Sequence, residues 1–144
     1  MKVNLLKKIG IIGFGNMGSV ISQKLAEQKD EYEVFVFDKE KSKLANLGRI
    51  KAAKDSRDLA SQVEVIILAV KPQDFNHILK EIKGSTANKL IISIAAGIST
   101  SHIEKIFGEA RVIRVMPNIG AKVAESVTCL CKGALATDDD LGLE

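Results

Sequence analysis

The stretch KIGIIGFGNMG, residues 8–18, decides the fold of this chain. Its apolar first half predicts a buried β-strand, and its glycines predict a tight turn into a helix. Gly13, Gly15 and Gly18 have the G-x-G-x-x-G spacing of a dinucleotide-binding turn. In that motif the first glycine allows the turn, the second lets the backbone approach a pyrophosphate, and the third packs the helix against the strand.

The residues between these glycines belong to the same candidate site, namely Phe14, Asn16 and Met17. A helix that begins near Asn16 would direct its free N–H groups and a partial positive charge at the anion. A tight turn also needs glycine for steric reasons alone, so the motif requires support from the rest of the chain.

Length and composition fit one globular domain. The chain has 144 residues, of which 46% are hydrophobic and 27% charged, and its net charge is +3. Lysine-rich stretches at 39–43 and 51–54 are interrupted by other residue types and lack aromatic partners, so we interpret them as solvated faces and expect no nucleic-acid partner. No apolar run is long enough to cross a bilayer and no signal-peptide pattern is present, so we expect a cytoplasmic protein with no membrane partner.

A metal site is not expected. Cys129 and Cys131 are the only cysteines, and in a strand they would be two small core residues on one face. His77 and His102 lie far from them in the sequence, on helical patterns. No group of residues stands out as a general acid, so we assign no catalytic residue.

Apolar runs and helical patterns alternate along the chain. This order predicts an α/β fold, a doubly wound Rossmann-type, mostly parallel sheet with helices on both faces. The apolar runs are nearly continuous, as in strands that are buried on both faces. Strands are predicted at 8–12, 33–37, 63–70, 90–95 and 112–116, with further short ones at 49–52 and 126–131. Helices are predicted at 17–27, 39–47, 57–61, 72–83 and 100–107.

The domain organisation follows from the same pattern. Residues 1–136 are expected to form one dinucleotide-binding domain. Residues 137–144 begin with a polar helix start, which we interpret as the start of a missing or truncated helical C-terminal domain, or as a tail.

Asp38 ends the second predicted strand, about 20 residues beyond the glycine turn, where an acid can accept hydrogen bonds from the adenosine ribose. It is also a candidate N-cap for the predicted helix at 39–47. An acid here favours NAD, whereas Lys39, Lys41 and Lys43 could partly offset its charge beside a 2′-phosphate. The sequence therefore leaves the choice between NAD and NADP open.

Two further segments follow buried strands. Residues 69–73 (AVKPQ) come after the strand at 63–70, and residues 95–97 (AAG) after the next one. Ligands of open α/β sheets lie outside the carboxyl ends of the strands, so both segments are candidates for cofactor contact. Proline and glycine also end strands without any ligand, and that alternative stays open.

Four segments in this order resemble pyrroline-5-carboxylate reductase: residues 13–18 (GFGNMG), 70–73 (VKPQ), 93–98 (SIAAGI) and 112–118 (VIRVMPN). The resemblance covers essentially the whole chain, but only the N-terminal, cofactor-binding part of that family. It implies reduction of the cyclic imine pyrroline-5-carboxylate to proline with NADPH or NADH. The substrate would be a small-molecule imine, and a parent protein that has the C-terminal domain would be a homo-oligomer.

The resemblance also implies roles for particular residues. Residues 14–18 would hold the pyrophosphate, and Asp38 would face the adenosine ribose. The other implied cofactor-binding residues are Lys39, Asp55, Ala69, Val70, Lys71, Pro72, Ala96 and Gly97. The implied floor beneath the nicotinamide and the substrate is formed by Met116, Pro117 and Asn118.

Alternatives remain for the substrate side and for the function. Met116 could be plain core, and Asn118 could be a turn residue that hydrogen-bonds its own backbone. Ile119 and Gly120 stand where the family usually has threonine and proline, which leaves a related imine or 3-hydroxyacid reductase open. The third hypothesis is that the chain is an isolated dinucleotide-binding module.

Overall fold

The computed structural model describes residues 6–95, 97–108, 110–117 and 127–132, with the backbone alone at 116, 117 and 127–132. Its strands are β1 (Lys7–Ile12), β2 (Tyr32–Phe37), β3 (Lys51–Ala52), β4 (Val65–Leu68), β5 (Leu90–Ser93), β6 (Arg111–Pro117) and β7 (Val127–Lys132). Its α-helices are α1 (Asn16–Glu27), α2 (Ser56–Gln62), α3 (Pro72–Ile82) and α4 (Thr100–Phe107), and single 3-10 turns lie at Lys41–Leu44 and Lys83–Ser85.

The described strands form one sheet in the order β3-β2-β1-β4-β5-β6-β7. Strands β1 to β6 run parallel, and β7 is antiparallel to β6. The chain moves outward from β1 to β3 and then returns to the other side of β1 with β4. The predicted doubly wound, mostly parallel sheet is therefore confirmed, and its topological switch point lies between β1 and β4.

Two apolar clusters cover the two faces of the sheet. On one face, α2, α3 and α4 bury Leu59, Phe75 and Ile103 against the strands. On the other face, α1 packs Ile21 and Leu25 against strand residues. Every residue of β4 and β5 is buried, which is why these two strands read as continuous apolar runs in the sequence.

The prediction of a helix at 39–47 is wrong. Only the 3-10 turn Lys41–Leu44 forms there, Ala45 has an extended backbone, and Asn46 has a φ of 57°. The segment buries no residue and offers only Leu44 and Leu47 to the apolar cluster, so there is no apolar stripe to hold a longer helix on the sheet. Asp38 accordingly does not cap a helix.

The other predicted boundaries of strands and helices differ less from those in the structure. Residues 63, 64, 69 and 70, predicted as strand, flank the shorter β4, and the predicted last strand is confirmed as β7. The polar helix start after residue 136 lies outside the described residues, so the domain assignment stays a prediction. Within the part of the chain that the structure describes, no helix is both long and apolar enough to cross a bilayer.

Candidate functional site

The loops after β1 and β4 meet at the switch point of the sheet. The amide of Ala69 donates a hydrogen bond to the carbonyl of Ile12 at 2.8 Å. A Cβ atom added to Gly13 would lie 2.7 Å from the carbonyl carbon and oxygen of Ala69. The glycine loop and the segment 69–72 therefore lie side by side, at the edge where open α/β sheets bind their ligands.

The three glycines of the loop have different physical roles. Gly13 has a φ of 102°, a conformation that L side chains rarely adopt. A Cβ on Gly18 would lie 1.8 Å from the carbonyl oxygen of Gly13, so the third glycine is required for α1 to approach the end of β1. A Cβ on Gly15 would have no heavy atom within 4 Å, and Gly15 has a φ of −83°. The fold itself therefore does not require a glycine at Gly15.

The N-terminus of α1 points into this open space. Gly15 is its N-cap and has no side chain with which to satisfy the first N–H groups. The first turn of α1, all of it described, contains no acidic residue, and Asn16 is exposed. Unsatisfied N–H groups and the positive end of the helix dipole together favour an anion here.

Asp38 joins the end of β2 to the glycine loop. Its side chain is buried, with Oδ2 accepting a hydrogen bond from the amide of Phe14 and Oδ1 accepting one from the amide of Glu40, both at 2.8 Å. A carboxylate has about four lone-pair positions, so two acceptor positions remain for a ligand hydroxyl. The structure therefore places the predicted ribose-binding acid directly beside the predicted phosphate loop.

Lys39 extends from the same strand end toward α3. Its Nζ lies 3.2 Å from both carboxylate oxygens of Asp74, in the first turn of that helix. Lys71 is exposed and precedes Pro72, which is the first residue of α3. The loops after β2 and β4 are thus linked by an ion pair that the sequence analysis did not anticipate.

Asp55 has a structural role in the fold. It is the N-cap of α2, and its Oδ1 accepts a hydrogen bond from the amide of Asp58 at 2.7 Å. Because α2 follows β3, Asp55 lies at the same edge of the sheet as Asp38 but beyond β2. The cap is sufficient to explain an aspartate here, and contact with adenosine stays a prediction.

The remaining predicted residues follow β5 and β6. Gly97 is exposed with a φ of 76°, shortly after β5. Met116 and Pro117 form the last residues of β6, at the same edge of the sheet as the glycine loop. Ala96 and Asn118 lie outside the described residues, so their roles stay predictions.

Gly10 has a role that sequence analysis missed. A Cβ on this β1 residue would lie 2.4 Å from Cδ2 of Leu59, so α2 packs directly over the strand backbone. A glycine inside an apolar strand often marks such a close approach, and that signal was present in the sequence.

Each of the two histidines has a polar side-chain partner. His77 Nε2 is 3.2 Å from Glu81 within α3, and His102 Nε2 is 2.6 Å from Asn76 Oδ1. A search of the described residues finds no group of three or more His, Cys, Asp or Glu side chains that could hold a metal ion.

Comparison with known proteins agrees with this geometry. The family described as "NADP oxidoreductase coenzyme F420-dependent" matches residues 8–97, more than half of the chain. Pyrroline-5-carboxylate reductase of Methanosarcina acetivorans is 39% identical over 94% of this chain and 53% of that protein. The chain spans about half the length of the curated relatives that it matches.

Solved structures show the same relationship. Pyrroline-5-carboxylate reductase of Coxiella burnetii is 30% identical with a TM-score of 0.84, over 96% of this chain and 54% of that one. The Plasmodium falciparum pyrroline carboxylate reductase with NADP bound is 23% identical with a TM-score of 0.81, over 99% of this chain and 53% of that one. The chain belongs to the NADP oxidoreductase coenzyme F420-dependent family, and over nearly all of its length it is similar to pyrroline-5-carboxylate reductases.

Proposed function

We propose that this chain binds NAD(H) or NADP(H) in the crevice between β1 and β4, as the cofactor domain of a pyrroline-5-carboxylate reductase. One observation carries the proposal: the space beside Gly15 is open, whereas Gly13 and Gly18 are closed in by backbone. The similarity to reductases of that name supports the choice of substrate.

The dinucleotide would lie across the carboxyl edge of the sheet. Its pyrophosphate would contact Gly15 and the first N–H groups of α1, and its adenosine ribose would contact Asp38. From there the cofactor would pass segment 69–72 toward the ends of β5 and β6, where Gly97 and Pro117 lie. The glycine loop therefore positions the donor, and these strand ends form the side on which the acceptor would approach.

The bound nicotinamide supplies the hydride for reduction of the imine carbon. The chain contributes by holding the cofactor in one orientation, and such positioning lowers barriers by up to about 7 to 11 kcal/mol in favourable cases. Every residue of β4 and β5 is buried, so the strands on this side of the crevice are held on both faces by packing.

The substrate side extends beyond this domain in our proposal. The relatives are about twice as long as the part that they share with this chain. We propose that a helical domain, in the same or another polypeptide, completes the pocket for the imine and makes the enzyme a homo-oligomer. The cytoplasmic location stays a prediction.

Binding and turnover are to be measured separately. Calorimetric titration with NADH and with NADPH should give saturable binding of at least one of them to this chain. Oxidation of that cofactor should follow addition of pyrroline-5-carboxylate to a longer polypeptide that carries the chain. Absence of binding to either dinucleotide would contradict the proposal.

The same binding and turnover measurements also distinguish the proposed function from its two alternatives. Cofactor binding by this chain without turnover, in every polypeptide that carries it, would favour a dinucleotide-binding module. Turnover of another cyclic imine or a 3-hydroxyacid, with none of pyrroline-5-carboxylate, would favour a related reductase.

A further inference from the structure

We infer that Cys131 is a reactive thiol that exchanges with small disulfides, and that Arg114 is the residue that makes it reactive. The inference does not depend on the proposed function, because it concerns the pairing of β6 with β7 and not the crevice between β1 and β4. It assigns a covalent modification site to a cysteine that the sequence analysis interpreted as a small core residue.

The first step is an arginine that lacks an acidic partner. Arg114 lies on β6 and is half-buried, and its Nε atom is buried without a hydrogen-bond partner. Within the part of the chain that the structure describes, no carboxylate forms an ion pair with Arg114. A half-buried guanidinium that no acid balances favours a negative charge beside it.

The second step is the face of the sheet on which Arg114 lies. Successive side chains of a strand lie on opposite faces of the sheet. Val112 belongs to the apolar cluster that also contains Ile103 of α4, whereas Ile113 and Val115 belong to the cluster on the other face. Arg114 therefore lies on the face of Val112, against which α4 packs.

The third step is the register between β6 and β7. Their antiparallel pairing places Cys131 opposite Arg114, and it places Cys129 opposite Met116. Residues that are directly opposite in an antiparallel pair share a face of the sheet, with Cβ atoms about 4.5 to 5.5 Å apart. The two cysteines therefore share one strand and one face, but only Cys131 is placed opposite a cation.

The fourth step is the set of other charges on the elements that surround Cys131. Lys132 is the neighbouring residue of β7, and by alternation it lies on the other face of the sheet. The titratable residues of α4, which is described throughout, are His102, Glu104 and Lys105. Glu104 is thus the only acid of that helix, and the guanidinium and the two lysines outnumber it. The charges around Cys131 therefore favour a thiolate.

The last step is the chemistry that follows. A cation beside a cysteine stabilises the thiolate and so lowers the pKa of the thiol from its ordinary value of about 8.5. The thiolate attacks one sulfur of a small disulfide, a new S–S bond forms, and the other half of the disulfide leaves as a thiolate. No further oxidant takes part, because the disulfide itself is the reactant. The product is a mixed disulfide on Cys131.

The test uses the fact that the chain has two cysteines. Cys129→Ser leaves Cys131 as the single thiol, and Cys131→Ser leaves Cys129. The rate of reaction of each folded protein with dithiodipyridine, an uncharged disulfide, is measured as a function of pH. The pH of half-maximal rate should be at least about 1 unit lower for Cys131 than for Cys129, and Cys131 should react severalfold faster at neutral pH. In urea, which unfolds the chain, the two thiols should react alike.

Variants of β6 then test the role of the guanidinium in the protein that keeps only Cys131. Arg114→Gln should raise the pH of half-maximal rate by about 1 unit, whereas Arg114→Lys, which keeps a cation, should leave it low. Arg111→Gln is the matched control, because it removes the same group from the other face of the same strand and should change nothing.

The comparison of the two single-cysteine proteins does not require any change at Arg114, so it stays decisive if Arg114→Gln fails to fold. Equal pH profiles for the two thiols in the folded chain would overturn the inference, as would a Cys131 that does not react until the chain unfolds. An unchanged profile in a folded Arg114→Gln protein would overturn the role of Arg114.

Discussion

A Cβ atom on Gly18 would lie 1.8 Å from the carbonyl oxygen of Gly13, so these two residues lock the start of α1 against the end of β1. The atom that such a Cβ would meet is a backbone oxygen, which cannot rotate away as a side chain could. The contact fixes the direction in which the first N–H groups of α1 point, and thereby the position of the candidate anion site.

Gly18→Ala should therefore destabilise the fold. The added methyl group must displace α1 from β1, and overpacking of this kind costs about 1 to 3 kcal/mol in free energy of unfolding. Urea unfolding followed by circular dichroism measures the change. Gly84→Ala is the matched control, since a Cβ there would meet no heavy atom within 4 Å. A Gly18→Ala protein as stable as the control would refute the contact.

Asp55 offers a way to separate a helix cap from a ligand contact. Asp55→Ala should lower the free energy of unfolding by about 1 kcal/mol, because the amide of Asp58 loses its capping acceptor. Asp55→Asn should be nearly as stable as wild type, since asparagine caps helices equally well. If Asp55 only caps α2, the cofactor dissociation constant of Asp55→Asn should equal that of wild type. Equal stability of the alanine and asparagine variants would contradict the cap.

The environment of the Lys89 amine predicts that the free energy of unfolding depends on pH. Its Nζ donates hydrogen bonds to the carbonyls of Ala60 and Val63 at the end of α2, and burial lowers the pKa of this amine from its ordinary value of 10.5. Between the lowered pKa and 10.5 the unfolded state therefore holds more protons than the folded state. In that window the contribution of Lys89 to the free energy of unfolding should rise with pH.

The measurement is the difference in unfolding free energy between wild type and Lys89→Met, determined at several alkaline pH values up to 10.5. The difference should shift in favour of wild type as the pH rises. Lys80→Met, at an exposed position on α3, is the control and should show no such shift. A pH-independent difference for Lys89→Met would show that burial does not perturb this amine.

Much of the fold could be predicted because the local sequence pattern agrees with the position of each segment in the tertiary structure. Strands β4 and β5 are apolar at almost every position and are buried on both faces, so composition alone identified them. The turn from β1 to α1 could be predicted from glycine spacing, because the close approach of Gly18 to Gly13 admits only glycine. Ser99 is of a residue type that favours helix N-caps, and as the N-cap of α4 its Oγ accepts a hydrogen bond from the backbone amide of His102.

The features that were predicted wrongly or not at all also have physical causes. The lysines at 39–43 have good helix propensity, but propensity alone does not hold a short helix without an apolar face to bury. The Lys39–Asp74 ion pair joins residues that are far apart in the sequence, and only the sheet order brings them together. Spacing also cannot tell that Gly13 and Gly18 are required by packing while Gly15 is not, since all three fit one motif.

The most direct test of the account is Gly15→Ala, with thermal stability and cofactor affinity measured on the same protein sample. The added methyl group enters open space at an ordinary φ, so the only expected loss is the about 1 kcal/mol that alanine costs at an N-cap, which lowers the melting temperature by a few degrees. The same methyl group occupies the space proposed for the pyrophosphate, so the affinity for the dinucleotide should fall by at least about tenfold. Unchanged affinity in a stable Gly15→Ala protein would contradict the central claim that the glycine turn holds the cofactor.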